Sequence, residues 1–229
     1  MSVNLVDTIG EIISKTNLTV VVKEIVGSKI FVCKTTLHIT IGNTVKDTAN
    51  NEYTVSDMVV NEWLELTPLG SSPVFNDSVI IGPPITYLHG TPSSTNIEYV
   101  KVDPMTVNKV PFAWLLEVYQ YDQPGPGSSL AASFSVVIFF LTWGKEVEWT
   151  NQQQNERAIK PMENLANSFL EAIEADYTYK TLQDVTIRPR SRFGVEVTNK
   201  GSERKILDED LSGVEMRFTL ELYKVENCC

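Results

Sequence analysis

Apolar residues recur at helical spacing near the start of the chain. Leu5, Ile9, Ile12 and Ile13 share one face of residues 3–15, which predicts a short amphipathic helix ended by Thr16-Asn17. Gly10 weakens that helix by about 1 kcal/mol relative to alanine. The period then changes. LTVVVKEIV (18–26) and KIFVCKTTLHITI (29–41) are rich in Val, Ile, Thr and Phe, with Gly27-Ser28 between them, which predicts a hairpin followed by a third strand. YTVSDMVVNEWLELTP (53–68) reads as a further strand or strand pair. Gly, Pro, Ser and Asn dominate 69–98, which predicts an irregular excursion with one short strand near Val79-Ile81. Loops of that length in compact domains usually serve function or interfaces.

The second half alternates strongly apolar and polar blocks. FAWLLEVYQY (112–121) reads as a strand, QPGPGSSLAA (123–132) as a loop, and SFSVVIFFLTW (133–143), apolar on both faces, as a central strand covered on both sides. Thr150 and Gln153 have the spacing of a capping box. Behind them, Ile159, Met162, Leu165, Ala166, Phe169, Leu170 and Ile173 form an apolar stripe of period 3.6. Pro161 interrupts the pattern, which favours a loose first turn and a firm helix from 161 to about 175. DVTIRPRSRFGVEV (184–197) reads as one broken strand or two, and 199–213 as a polar connection. In 214–226, Val214, Met216, Phe218, Leu220 and Leu222 alternate with Glu215, Arg217, Thr219 and Glu221, the pattern of a half-buried antiparallel strand.

This order predicts an α+β fold, an antiparallel sheet with two helices packed on one face, plus an inserted β-rich subdomain. The boundaries read as an N-terminal helix (1–17) joining the main domain, an inserted β-rich subdomain with long loops (18–100), and a main α+β domain (101–229). No repeat of 20–50 residues is visible, which argues against solenoids and propellers.

Composition narrows the function classes. The chain has 229 residues, 19 Lys and Arg against 29 Asp and Glu, and a formal net charge of −10. Duplex binding needs clustered cations, and an anionic membrane surface repels such a chain. No basic n-region with an apolar stretch marks a secretory signal, and the apolar run Val136 to Leu141 is far too short to span a membrane. Three cysteines suit a reducing cytoplasmic origin: Cys33 reads as a small buried hydrophobe, and Cys228-Cys229 close the chain without a lipidation spacing.

The search for chemistry is short. Neither His38 nor His89 has Cys or carboxylate neighbours at a metal-ligand spacing, and each reads as a partly exposed histidine without special duty. QPGPGSS has two prolines that remove the N–H donors a phosphate cradle needs. No nucleophile elbow appears. Carboxylate pairs such as Glu146/Glu148 and the Asp208-Glu209-Asp210 run read as solvated faces. No catalytic, metal-binding or cofactor-binding residue is assigned and no cofactor is expected.

One asymmetry stands out. All six arginines lie after residue 150, and Arg188, Arg190 and Arg192 are spaced i, i+2, i+4. On an extended strand they point to one side. They read either as a solvated edge that discourages aggregation, with Pro189 supporting an edge position, or as a basic stripe meeting an acidic patch on a neighbouring subunit. Of the four tryptophans, Trp114 and Trp143 read as core, while Trp63 and Trp149 have polar neighbours and read as interface anchors.

PFAWLLEVYQYD, a loop, FSVVIFFLTW and then WTNQQQNERAIKPMENLANSFLEAI form a layout that resembles tail-terminator or tail-completion proteins of tailed bacteriophages and related neck and connector proteins, in the variants of phages of Bacteroidetes-type hosts. The matching positions are Pro111, Phe112, Trp114 and Leu115, then Lys160, Pro161, Met162, Leu165, Phe169 and Leu170. The match covers about 111–176 and the N-terminal helix, and 18–100 goes beyond a minimal terminator. The resemblance implies a non-catalytic virion protein made in the host bacterial cytoplasm. Its subunits form a homo-oligomeric ring, commonly six-fold, beside adjacent neck, tail-tube or portal-proximal proteins. Specific nucleic-acid binding and membrane association are not expected, although DNA passes through such a lumen. The alternative from another class is a β-rich ligand- or glycan-binding module, with Trp63, Tyr87 and Tyr99 lining a cleft.

Overall fold

The computed structural model describes residues 4–91, 110–116, 120–122, 130–144, 148–176, 179–193, 195–197, 203–205 and 210–223. The fold is α+β, with a closed barrel, a six-stranded sheet, a small two-stranded pair and a helical layer. Helix α1 (Leu5–Lys15) starts where the Asn4 side chain accepts the Val6 N–H at 3.0 Å, and buries Leu5, Ile9, Ile12 and Ile13. Gly10 is there for space. A Cβ on it would sit 3.1 Å from the Tyr87 ring, whose hydroxyl donates to the Val6 carbonyl at 3.0 Å.

Strands β1 (Thr19–Val26), β2 (Lys29–Val32), β3 (Thr44–Lys46), β4 (Glu52–Val59), β5 (Trp63–Pro68) and β6 (Val79–Ile81) close into a barrel of order β1-β2-β5-β4-β3-β6, antiparallel throughout. Alternation fills it: Val20, Ile30, Val32, Val45, Tyr53, Val55, Leu64, Leu66 and Ile80 point inward. Closure leaves no strand edge to manage.

The predicted third strand over 34–41 does not form. Leu37 has φ +50°, and side chains capture the backbone instead. Asn61 Oδ1 accepts the Thr36 N–H at 3.1 Å, Thr36 Oγ1 accepts the Asn61 N–H at 3.1 Å, and Asn43 Oδ1 accepts the Thr40 N–H at 2.8 Å. Such bonds compete with a ladder. The segment plugs the barrel with Leu37 and Ile39, and the ring of His38 is fully buried beside it, a correction to its reading as partly exposed. Cys33 is exposed rather than buried, because β2 ends one residue before it. The excursion after 68 is also partly structural: Phe75 packs edge-on against Tyr53 in the barrel, and Asp77 accepts from the Thr48 N–H at 2.9 Å.

The larger sheet contains β7 (Thr86–Gly90), β8 (Phe112–Leu116), β9 (Gln120–Asp122), β10 (Leu130–Trp143), β11 (Tyr179–Phe193) and β14 (Leu211–Tyr223). Its order is β11-β14-β10-β8-β7, with β9 also on β10. All pairs are antiparallel except β7 with β8. Strand β7, expected within the inserted 18–100 stretch, therefore belongs to this sheet. The small pair β12 (Val195–Val197) and β13 (Glu203–Lys205) lies apart from it. Strand β10 is central and covered on both faces, with Phe134, Val136, Ile138 and Phe140 toward the helices and Phe139 and Leu141 in a cluster on the far face.

The second helical element is one run: α2 (Asn151–Gln154), a π-turn (Asn155–Ile159) and α3 (Lys160–Glu174). The capping box is present, with Thr150 Oγ1 accepting the Gln153 N–H and Gln153 Oε1 accepting the Thr150 N–H. The first turn is not loose, as the sequence suggested, but wide. Pro161 has no N–H and its ring crowds the carbonyl four residues back, and the ladder before it shifts so that Lys160 N–H bonds Asn155 O. Met162, Leu165, Phe169 and Ile173 then meet the sheet.

Candidate functional site

Among the described strands, β11 has a neighbour on one side only, β14. The pattern of its side chains explains its two faces. Ile187 packs against the helix-side core, so Arg188 and Arg190 face the other way. Pro189 stands opposite Val214 without an N–H to offer, and three register shifts interrupt the strand, between Lys180 and Gln183, Gln183 and Thr186, and Arg190 and Phe193. Charge, proline and bulges are the devices that stop an edge from adding another strand. The last shift also breaks the expected run of three: Phe193 joins the far-face cluster, and Arg192 falls outside the alternation that Arg188 and Arg190 share.

The arginines converge with residues that the sequence did not single out. Arg190 Nε donates to Glu215 Oε2 at 2.9 Å and its Nη2 to the same oxygen, while Arg217 Nε donates to Oε1. Glu215 is 1% exposed, although its alternation marked it as solvent-facing. Burial pushes its carboxyl up, and the two guanidinium groups outweigh that and hold it below the usual carboxylate range. Arg190 and Arg217 keep about half their side-chain surface open, 44% and 54%. The result is a half-exposed cationic patch, fixed in place by one buried anion.

Gln154 links this edge to a second surface. It is buried, and its Nε2 donates to the Ser191 carbonyl and, at 2.7 Å, to Ser212 Oγ. One residue away, Gln153, Glu156, Arg157 and Lys160 face Met58, Val59, Val60 and Glu62 of the β4–β5 hairpin across a cleft of about 490 Å³. Each predicted tryptophan anchor neighbours a residue that lines it. Trp63 is the cross-strand partner of Val59 and carries the Lys29 ammonium 4.2 Å from its ring centre, and Trp149 lies 5.6 Å from the Arg157 guanidinium carbon. Asn164 Nδ2 bridges the two sides, donating to Leu37 O at 3.0 Å and Asn61 Oδ1 at 2.9 Å.

Other candidates fall apart in space. Trp114 is core, stacked on Phe139, but Trp143 is 42% exposed because it ends its strand. Tyr87 lies against α1, and Trp63 is on the barrel hairpin. Tyr99, Cys228, Cys229, Glu146, Asp208, Glu209 and the 123–129 loop lie outside the described residues. His38 Nε2 contacts the Pro83 carbonyl at 2.9 Å, and burial pulls its pKa down to about 4 against that hydrogen bond. Among the described residues no three His, Cys, Asp or Glu side chains gather to hold a metal ion, and no helix is long and apolar enough to cross a membrane. Compared with protein-family models, curated proteins and solved structures, the chain matches none of them.

Proposed function

We propose that this chain is a non-catalytic structural subunit of an oligomeric ring, six-fold in its simplest form, at the neck or tail of a phage virion, as a tail-terminator, tail-completion or head-to-tail connector protein. The observation that carries the reading is the β11 edge. Arg190 on it and Arg217 on the neighbouring strand are tied to Glu215, and Pro189 and the bulges disfavour pairing with another strand. Such a surface suits contact with another protein through side chains, and arginine is favoured at interfaces. Two further features support it. The positions behind the resemblance, Phe112, Trp114 and Leu115 on β8 and Met162, Leu165 and Phe169 on α3, belong to one sheet-and-helix unit. A net charge of −10 suits a lumen through which DNA slides without adhering.

The test is one of location. Particles banded on a density gradient are assayed for this chain by quantitative mass spectrometry. A fixed copy number in the range of one small ring is expected. A chain that stays wholly in the soluble fraction while intact particles band would overturn the reading.

A further inference from the structure

Charge is segregated between the two sides of the large sheet. On the helix side, Asp7 and Glu11 of α1 and Glu171 and Glu174 of α3 are exposed, and Lys15 Nζ ties Glu11 to Asp176 at 2.7 Å each. At the end where α1 and α3 finish, Glu11, Glu171, Glu174 and Asp176 stand with Lys15, four carboxylates to one ammonium. On the opposite side, Arg188, Arg190 and Arg217 are exposed around the buried carboxylate of Glu215, with Glu221 further along the same face of β14, three cations to two carboxylates. The two sides therefore carry excess charge of opposite sign.

We propose that the arginine-bearing face of β11 and β14 docks onto the acidic end of the helix layer of a second copy of this chain, so that subunits join head to tail. The proposal rests on the subunit-assembly part of the reading above. A two-fold contact through either face would set arginine against arginine or carboxylate against carboxylate, which costs free energy and selects against that pairing. Unlike faces on opposite sides of one sheet make a heterologous contact instead, the kind that closes into a ring by rotation. Recognition works through side chains, because Pro189 and the register shifts disfavour strand addition. The Glu215 carboxylate holds the Arg190 fork before the partner arrives, so less side-chain freedom is lost on docking.

Zero-length cross-linking tests this. Arg188→Lys places an amine on the proposed face without touching the Glu215 bonds. A concentrated equal mixture of isotope-labelled and unlabelled full-length chain is treated with a carbodiimide and mapped by mass spectrometry. Mixed-isotope links from position 188 to Glu171, Glu174 or Asp176 are expected. Their absence, or links from 188 to other carboxylates only, overturns the proposal. A charge swap provides a second measurement. Arg188→Glu and the pair Glu171→Lys with Glu174→Lys each weaken self-association in sedimentation about tenfold, and the three together restore it to within about threefold of the unmodified chain. No recovery in the combined variant also overturns the docking. The two readings fail separately. A chain present in particles at fixed copy number but lacking the 188 link refutes the docking alone. The link in solution with no chain in particles refutes the virion role alone.

Discussion

Arg190 on the exposed strand β11 reaches across to Glu215, buried on its neighbour β14, with Nε 2.9 Å from the carboxylate. The pair explains how a charged edge can be both solvated and rigid. Removing both guanidinium partners, Arg190→Ala with Arg217→Ala, leaves a buried carboxylate without them. The expected loss is about 1–3 kcal/mol at pH 7, below the value for a fully buried pair because both arginines are half open to water. Urea denaturation measures it. The sign with pH is set by the depressed pKa of Glu215. The stabilisation is present above the ordinary carboxylate range and is lost as pH falls through the lowered value, so the gap between variant and parent should narrow in acid. A gap independent of pH would mean that the arginines act through packing instead.

Phe169 is fully buried between Phe140 and Phe218, with ring centres 5.5 and 6.0 Å away. It joins α3 to the centre of the sheet. Phe169→Ala should cost about 3–5 kcal/mol in equilibrium unfolding. A loss under about 1 kcal/mol would mean that the helix does not anchor there.

Gly213 sits where β14 passes β10, and a Cβ at this position would collide with the Phe140 backbone carbonyl. The clash is with backbone, so no rotamer change relieves it. Gly213→Ala is expected to lose about 2–3 kcal/mol or more, or to fail to accumulate as folded protein. Thermal melting of the variant beside Gly27→Ala, which meets open space but carries the strain of φ +64°, compares the collision with the cost of left-handed backbone alone.

His38 is buried and neutral, with its pKa lowered from 6.5 to about 4. The unfolded chain binds a proton at this residue across that interval and the folded chain does not, so stability is full above about pH 6.5 and falls toward pH 4. The lost contribution approaches about 3 kcal/mol at the lower end. Chemical denaturation at pH 7, 5.5 and 4.5 should show a slope that His38→Gln flattens. An unchanged slope in the variant would place the acid sensitivity elsewhere, with Asp47 and Glu215 the next groups to examine.

The local devices of this fold were legible along the chain. The Thr150–Gln153 capping box, the stripe from Ile159 to Ile173, the hairpin at Gly27-Ser28 and the two-faced apolar strand 133–143 all have their expected form, because each depends on neighbours within a few residues. Pro189 pointed to an edge position, and among the described strands β11 has a neighbour on one side only. The run 34–41 misled, because Asn61, more than twenty residues away, supplies the hydrogen bonds that replace a ladder. Of the interface candidates, Trp63 and Trp149 were named singly, and only folding set each beside a residue that lines one cleft.

What the sequence determined by itself is the class of each segment and the face each residue shares with its neighbours, since a period of 3.6 or 2 is written into the chain. What lies beyond that face is decided in three dimensions. Barrel closure inserts β5 between β2 and β4, and a buried Glu215 replaces a solvated one because Arg190 and Arg217 arrive from two strands. The acidic end of the helix layer exists because Lys15 and Asp176, far apart in sequence, meet at 2.7 Å. Alternation tells which side chains point together. Only the packing of distant segments tells whether they point into water, into the core or toward an opposite charge.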